Sequence, residues 1–548
     1  MNILTPFIIL IESRRLRRVR AVAIAAMALL AASSGVGPAH AQPPSPLRGI
    51  KPFHKVALDF ADETASWRKP TARWARDVNG VRMVQAVLVS DSEDPDMRNL
   101  REHVVRNGGK VIVVQPAVHA MTVLVPAAKL EELAKHDDVI SVAPNRDTQR
   151  TASTLESITG SLTSNVRTPS TKTSYTGVDG SGVGIAVLDS GVMREHWAFA
   201  DSTAGYRLKR NVNMLKADLG NWTGTQGNLP APNTTALSTY EAAIAADADV
   251  VQDPFGHGTH VASVAAGRAQ WFSAGTPDTT GVAPNANIYD VRVLGTLGTG
   301  TLVDALEGIQ WAIYHAKEYN IRVLNLSLAT QSTQSWQVDP LCVAVRAATA
   351  AGITVVVAAG NFGLNAANQE TYGSISSPGH EPSVITVGSV NNFGTTARGD
   401  DAINGFSSRG PTRGSYLDAA GVRQVDNLLK PDLVAPGNKI VGAAATKSTA
   451  LTWNFLANTF KSLLVTPLGI TATLTETKML LSGTSIAAPA VSGTVALMLQ
   501  ANPGLTPPLI KAILQYSAQP VPGANLLQQG AGLLNVDGAV TLAKSLRT

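Results

Sequence analysis

The chain has 548 residues, too many for one ordinary domain. Its 44% hydrophobic and 16% charged residues, with 47 Gly and 30 Pro, exclude a disordered, collagen-like or coiled-coil protein. A single cysteine, Cys342, excludes an internal disulfide framework and a cysteine-cluster zinc site. Beside the mostly apolar run 343–348, it reads as a small buried apolar residue. The net charge of +5 is gathered at the front: residues 1–41 hold five Arg against one Glu, and residues 42–150 hold 16 Lys/Arg against 14 Asp/Glu. The remainder is close to neutral and carries no basic run interleaved with aromatics, so nucleic acid is not an expected partner.

Taken in chain order, Arg14, Arg15, Arg17, Arg18 and Arg20 precede an apolar stretch over 21–32, and Ala39-His40-Ala41 offers a small-x-small cleavage pattern. This predicts a signal peptide over 1–41, export to the periplasm or the medium, and no stable membrane span after its removal; the rival reading is an uncleaved anchor. Residues 42–80 form an irregular lead-in. The pattern then predicts strands over 84–89, 110–114, 117–125 and 139–142 and helices over 96–106 and 127–136. That β-α-β-β-α-β order is the split βαβ of a small ferredoxin-like α+β domain. From 151 to 178 Ser, Thr and Gly dominate, which predicts a flexible, protease-accessible linker. Beyond it, apolar strands at 184–188, 287–293, 322–326, 354–358 and 384–387 alternate with helices at 258–267, 302–317, 340–351 and 485–500. Continuous Val/Ile/Leu strands with intervening helices predict an α/β fold whose mostly parallel sheet is covered on both faces.

Three segments carry chemistry. Asp189 ends an apolar strand, where functional groups gather in an open α/β sheet. His257 lies in Gly256-His257-Gly258-Thr259-His260 at a helix start, and Ser485 lies in Gly483-Thr484-Ser485 at another. A serine hydroxyl becomes a good nucleophile when an imidazole takes its proton and a carboxylate orients that imidazole. Each segment also has a plainer reading: a structural Asp, a commonplace Gly-Thr-Ser, or a metal pair formed by His257 and His260. The metal reading lacks the Glu of an H-E-x-x-H motif.

The order Asp, His, Ser resembles that of the subtilisin family of serine proteases. The resemblance extends to Val355–Asn361, Phe406–Pro411, Lys430–Gly437 and 530–539 and covers nearly all the chain after the leader. It implies a doubly wound catalytic domain over 179–548 and a secreted precursor in which residues 42–150, with a core at about 84–147, form an inhibitory propeptide. It further implies an autoprocessed zymogen, cut in the 151–178 region, that hydrolyses polypeptides as a monomer through an acyl-enzyme on Ser485. His257 would be the base, Asp189 its orienter and Asn361 an oxyanion donor, with Thr484 a second candidate donor. Gly298, Gly300, Ser327 and Leu328 would pair with an extended peptide, and Leu302 and Leu328 would wall an apolar subsite. Ala359 and Gly360 would wall the pocket for P1, the residue before the scissile bond, over a floor at 376–378. That pocket has no fixed charge, so an aromatic or large aliphatic P1 is expected. Glu370 and Glu381 are the nearest acids.

Ala329 stands where the family usually has Gly. Extra segments interrupt the pattern between Asp189 and His257, including 231–246, and between Gly437 and Ser485, including 453–465. They read as surface additions near the cleft. No cofactor is expected for the chemistry. Structural calcium is a family trait, and no acidic cluster marks a site for it, so any metal ligands remain unassigned. The same triad would also suit a restricted processing protease or a peptide ligase, and a catalytically silent binding protein is the rival outside enzymes.

Overall fold

The computed structural model describes residues 55–57, 60, 70, 74–116, 119–145, 154–169, 175–201, 205–217, 234–269, 278–446, 454–465 and 475–548. The expected signal peptide and most of the lead-in lie outside them. The chain divides into two compact units, residues 1–150 and 151–548.

In the first unit, strands β1 (Ala75–Val78), β2 (Val81–Ser90), β3 (Lys110–Gln115), β4 (Ala120–Pro126) and β5 (Val139–Pro144) form one antiparallel sheet. β2 is central, with β4 on one edge, followed by β3, and both β1 and β5 on the other. Val84, Ala86 and Leu88 alternate inward from β2 and pack against Leu100 and Val104 of helix Arg98–Arg106 and Leu130 and Leu133 of helix Leu130–Ala134. This is the ferredoxin-like arrangement that the sequence predicts, with β1 added.

The second unit opens on helix Thr154–Thr159 and a short hairpin of β6 (Arg167–Pro169) and β7 (Tyr175–Gly177). The expectation of a flexible linker over 151–178 is therefore corrected for these residues. Leu155, Ile158 and Val166 are buried, and Arg167 pairs with Glu156 at 2.8 Å with neither side chain exposed. Arg167 also donates to the Val282 carbonyl at 2.6 Å. Three scattered apolar residues give no periodicity in sequence. What secures the segment is a buried ion pair, which composition does not reveal.

The main sheet has eight strands. Seven are parallel: β8 (Gly184–Asp189), β9 (Leu208–Asn213), β10 (Asn287–Arg292), β11 (Ile321–Leu326), β12 (Thr354–Ala358), β13 (Ile385–Asn391) and, after an antiparallel β14 (Ala402–Ile403), β17 (Leu433–Pro436), once the hairpin of β15 (Ser415–Leu417) and β16 (Arg423–Val425) has been passed. The order is β9-β10-β8-β11-β12-β13, with β14 and β17 both on β13, so the chain winds outward from β8 in both directions. Along β8, Ile185 and Val187 enter one core and Ala186 and Leu188 the other. Helices His257–Ala266, Thr484–Ala501, Pro507–Ser517 and Val536–Ser545 cover the first face; helices Thr235–Ile244, Leu302–Tyr314 and Pro340–Ala350 cover the second. Tyr240 and Ile244 are buried there, so the helix of the first extra segment is part of a core and not a surface addition. A further small sheet pairs β18 (Ile440–Ala443) and β19 (Leu464–Val465) with β20 (Lys478–Leu481), and its middle strand leads into the helix that carries Ser485.

Thr484–Ala501 is the one helix among the described residues long and apolar enough to cross a membrane. It is buried almost throughout, as the central helix of a core.

Candidate active site

The site lies at the carboxyl ends of β8, β11 and β12, beside the amino ends of two helices. Asp189 closes β8 with its side chain fully buried, and its Oδ1 accepts from the Ser190 N–H at 2.7 Å. His257 begins its helix and presents Nδ1 to Asp189 at 2.8 Å (Oδ1) and 3.0 Å (Oδ2). A carboxylate only accepts, so Nδ1 carries the proton and the Nε2 lone pair faces Ser485 Oγ at 3.0 Å. Burial disfavours a charged His257, but the charge and hydrogen bond of Asp189, with Asp253 farther off, outweigh it and raise its pKa above 6.5.

Two devices seat this helix. At Gly258 an added Cβ would stand 2.2 Å from the Gly191 carbonyl oxygen and 3.0 Å from Asp189 Cβ, so only glycine lets the first turn lie against the end of β8. Asp253, buried just before the helix, accepts from the N–H groups of Gly256 at 2.7 Å and Thr259 at 2.8 Å and from the hydroxyls of Thr259 at 2.6 Å and Ser190 at 2.8 Å. Ser190 Oγ accepts in turn from the Gly258 N–H at 3.0 Å, which locks the two chains together. Sequence reading missed Asp253 and Ser190. An acidic residue just ahead of a helix start was the available signal for Asp253.

His260 is no part of the site. It is buried, its Nε2 donates to the Ile440 carbonyl at 3.0 Å, and desolvation lowers its pKa to about 3.

Ser485 is the second residue of its helix, and Asn361 follows β12. Asn361 Oδ1 accepts from the Thr484 N–H at 2.9 Å and the Thr484 hydroxyl at 3.0 Å, which turns Nδ2 into the cleft. A Cβ built on Gly483 would lie 2.8 Å from Ser485 Oγ, 3.5 Å from Asn361 Nδ2 and 3.6 Å from the Ser485 nitrogen. Nucleophile and two donors thus surround one small volume that glycine leaves open. The Thr484 hydroxyl, a candidate donor by sequence, instead donates to Asn361 Oδ1 at 3.0 Å and accepts from the Gly360 N–H at 3.2 Å.

Pro489 has no N–H to give the Ser485 carbonyl its helical partner. Ser327 Oγ takes that place at 2.7 Å, and is itself fixed by Asn325 Nδ2 at 2.9 Å, whose Oδ1 accepts from Ser492 at 2.8 Å. The Ser327 side chain is therefore committed inward.

Gly298 and Gly300 lie on a largely exposed strip that ends at the Thr301–Asp304 capping box, and Leu302 is 44% exposed at the start of its helix. Leu328 is half-buried and Ala329 exposed. Ala359 and Gly360 are buried, and Ala359 accepts from the Ser376 N–H at 3.1 Å, which joins the proposed wall and floor. Glu381 pairs with Arg346 at 2.6 Å and Glu370 with Arg409 at 3.2 Å. Asp339, unnoticed in the sequence, lies behind Ser377 and accepts from its hydroxyl at 2.9 Å and from the N–H groups of Leu341 and Cys342. With Cys342 and His380 it makes the one group of three possible metal ligands among the described residues. Its thiol and imidazole do not suit calcium, and Cys342 Sγ and His380 Nε2 already meet at 3.4 Å. Cys342 is buried as expected.

Comparisons with known proteins identify the family. The model of the subtilase family matches residues 180–537. The serine protease AprX of Bacillus subtilis is 34% identical over 293 residues, 53% of this chain and 58% of that protein. Subtilisin Savinase of Lederbergia lenta is 32% identical over 288 residues, 53% of this chain and 78% of that protein. An extracellular protease of Xanthomonas campestris pv. campestris is 30% identical over 375 residues, 66% of this chain and 52% of that protein. The chain thus spans little more than half the length of two of these relatives. With an Asp-His-Ser relay at the carboxyl end of a doubly wound sheet, and a family match over most of its length, the chain belongs to the subtilase family of serine endopeptidases.

Proposed function

We propose that the protein is a secreted endopeptidase that cleaves polypeptides through an acyl-enzyme on Ser485. The observation that carries this reading is the hydrogen-bonded line from Asp189 through His257 to Ser485, with Asn361 Nδ2 and the Ser485 N–H directed at the same opening. Ser485 Oγ attacks the peptide carbonyl carbon as His257 Nε2 takes the hydroxyl proton. Negative charge on the carbonyl oxygen is stabilised by Asn361 and the Ser485 N–H. The C–N bond then breaks, His257 gives its proton to the leaving amine, and water repeats the sequence to free the acid. No cofactor enters these steps.

The extended substrate pairs with backbone at 298–300 and 327–329. Ala359, Gly360 and Ser376 enclose P1, and an uncharged aromatic or large aliphatic side chain suits that pocket because Glu370 and Glu381 are paired with arginines and the buried Asp339 behind the floor is taken up by the Ser377 hydroxyl and the N–H groups of Leu341 and Cys342. Arg14 to Ala41 would direct export, and the name of the Xanthomonas relative accords with it. The first unit would act as inhibitory propeptide. The test is labelling of the mature protein with a fluorophosphonate, with the adduct mapped to Ser485, alongside hydrolysis of an unstructured protein substrate. Ser485→Ala should lose both. Hydrolysis that persists in Ser485→Ala, or an adduct elsewhere, would refute the assignment.

A further inference from the structure

The second extra segment is attached at one chemically informative place. Phe455 and Leu456 donate their N–H groups to the carbonyls of Pro254 and Phe255 at 2.8 and 2.9 Å, and the buried Asn454 donates its side-chain amide to the Asp253 carbonyl. Three consecutive residues of the segment are thus bonded to the three residues that lead toward His257. The joint is also packed: the Phe455 ring stacks on Phe255, with centroids 5.7 Å apart and planes 17° apart, and Phe460 meets Phe455 edge-on at 6.4 Å. Behind them Leu456, Met479 and Ala444 form a small buried core of the segment's own, with Leu463 and Leu464 against it.

Phe255 faces the cleft. Its ring centroid is 6.4 Å from that of His257, and a Cβ built on Gly298 would come within 2.6 Å of its ring carbons. The ring therefore stands between the histidine and the strip expected to pair with substrate. In an extended peptide successive side chains point to opposite sides. With P1 directed at Ala359, Gly360 and Ser376, the preceding residue, P2, points the other way, toward His257 and Phe255.

We propose that the segment is a specificity element for P2: Phe455 is a positioning residue that holds Phe255 as the aromatic wall of the P2 subsite, which then selects apolar over charged side chains. This deepens the endopeptidase reading and rests on it. A charged P2 group against two stacked rings would lose hydration without gaining a partner, whereas an apolar one leaves water for a dry surface.

The experiment uses the mature protein and two peptide series, one varying P2 through Ala, Leu, Lys and Asp at constant P1, the other varying P1 at constant P2. Wild type should favour Leu over Asp at P2 by about tenfold or more in kcat/KM. Phe455→Ala should shrink that ratio by about fivefold, mainly through KM, while P1 ratios stay within about twofold, and Phe455→Tyr should restore it. Phe455→Leu, which keeps apolar volume without the stack, should fall between and covers the case in which the alanine variant does not fold. An unchanged P2 ratio in the folded variants, or an equal fall in kcat for every peptide, would overturn the proposal. Fluorophosphonate labelling separates the two levels: an unlabelled wild type defeats the endopeptidase reading, whereas labelled protein with a flat P2 profile defeats this inference alone.

Discussion

On the proposed mechanism Asn361 offers only half of its amide to substrate. Because Thr484 holds Oδ1 through two hydrogen bonds, Nδ2 is already oriented before any charge develops, and little reorganisation remains for the moment of reaction. Asn361→Leu should lower kcat by about 10²–10³-fold with KM nearly unchanged, since the donor matters mainly in the transition state. Steady-state kinetics on one peptide decides this, and a loss below about threefold would remove Asn361 from the mechanism. His257 makes a second prediction. Its raised pKa means that neutral Nε2 is recovered only above the ordinary imidazole value of 6.5, so kcat/KM should climb with pH through a titration above that point. Stability runs the opposite way. The folded state favours the proton, so this contribution is complete below 6.5 and disappears as pH rises through the folded-state value. Rate profiles of the wild type and melts of Ser485→Ala over the same pH range would expose both trends, and an activity maximum in acid would contradict the relay. Asp189, His257 and Ser485 were legible because each sits in a short motif at the end of an element. Asp253 left only the weak local signal of an acid ahead of a helix, and its bond to Ser190, 63 residues earlier, is displayed by the fold alone.

Elements are joined here by particular side chains. The helix carrying Ser485 lacks one internal bond at Pro489, and Ser327, the residue just after β11, supplies the replacement. Ser327→Ala should therefore leave the Ser485 carbonyl without this partner and cost about 1–3 kcal/mol in urea unfolding. Adding Pro489→Ala should recover much of it, because alanine restores the N–H that the carbonyl would meet in an unbroken helix. Strict additivity of the two losses would refute the exchange of partners. Proline at 489 is plain in the sequence, but the serine that compensates for it lies far away in the chain, just beyond the end of β11. The same limit explains which elements were legible. The apolar runs of β8, β11 and β12 declare themselves, whereas β9, reading Leu-Lys-Arg-Asn-Val-Asn, hides its pairing under charge, and β17 is a short strand whose burial depends on β13 beside it.

At the scale of the whole molecule, the boundary between units near residue 150 was legible as a change of composition, but its width was not. Helix Thr154–Thr159 and the buried Glu156–Arg167 pair belong to the second unit, so a cut within 154–169 would first have to undo them. If the first unit is removed as the proposed propeptide, the cut should accordingly leave an amino terminus between about 146 and 154, read by intact mass or terminal sequencing. A mature form beginning after Arg167 would show that the pair is dispensable; Glu156→Ala should otherwise destabilise by about 3–5 kcal/mol, the usual cost of leaving a buried charge unpaired. The central helix Thr484–Ala501 has a consequence in time. It packs against β8, β11, β12 and β13 and against the His257 helix, elements written from residue 184 onward. It cannot be seated until those distant stretches have closed on one another, and such long-range closure is slow. The reactive serine is carried on the last of these pieces to be synthesised and is aimed only once the others are in place. On the proposed endopeptidase reading, a newly made chain thus passes its most vulnerable interval, while its own loops are open to cleavage, without a working blade.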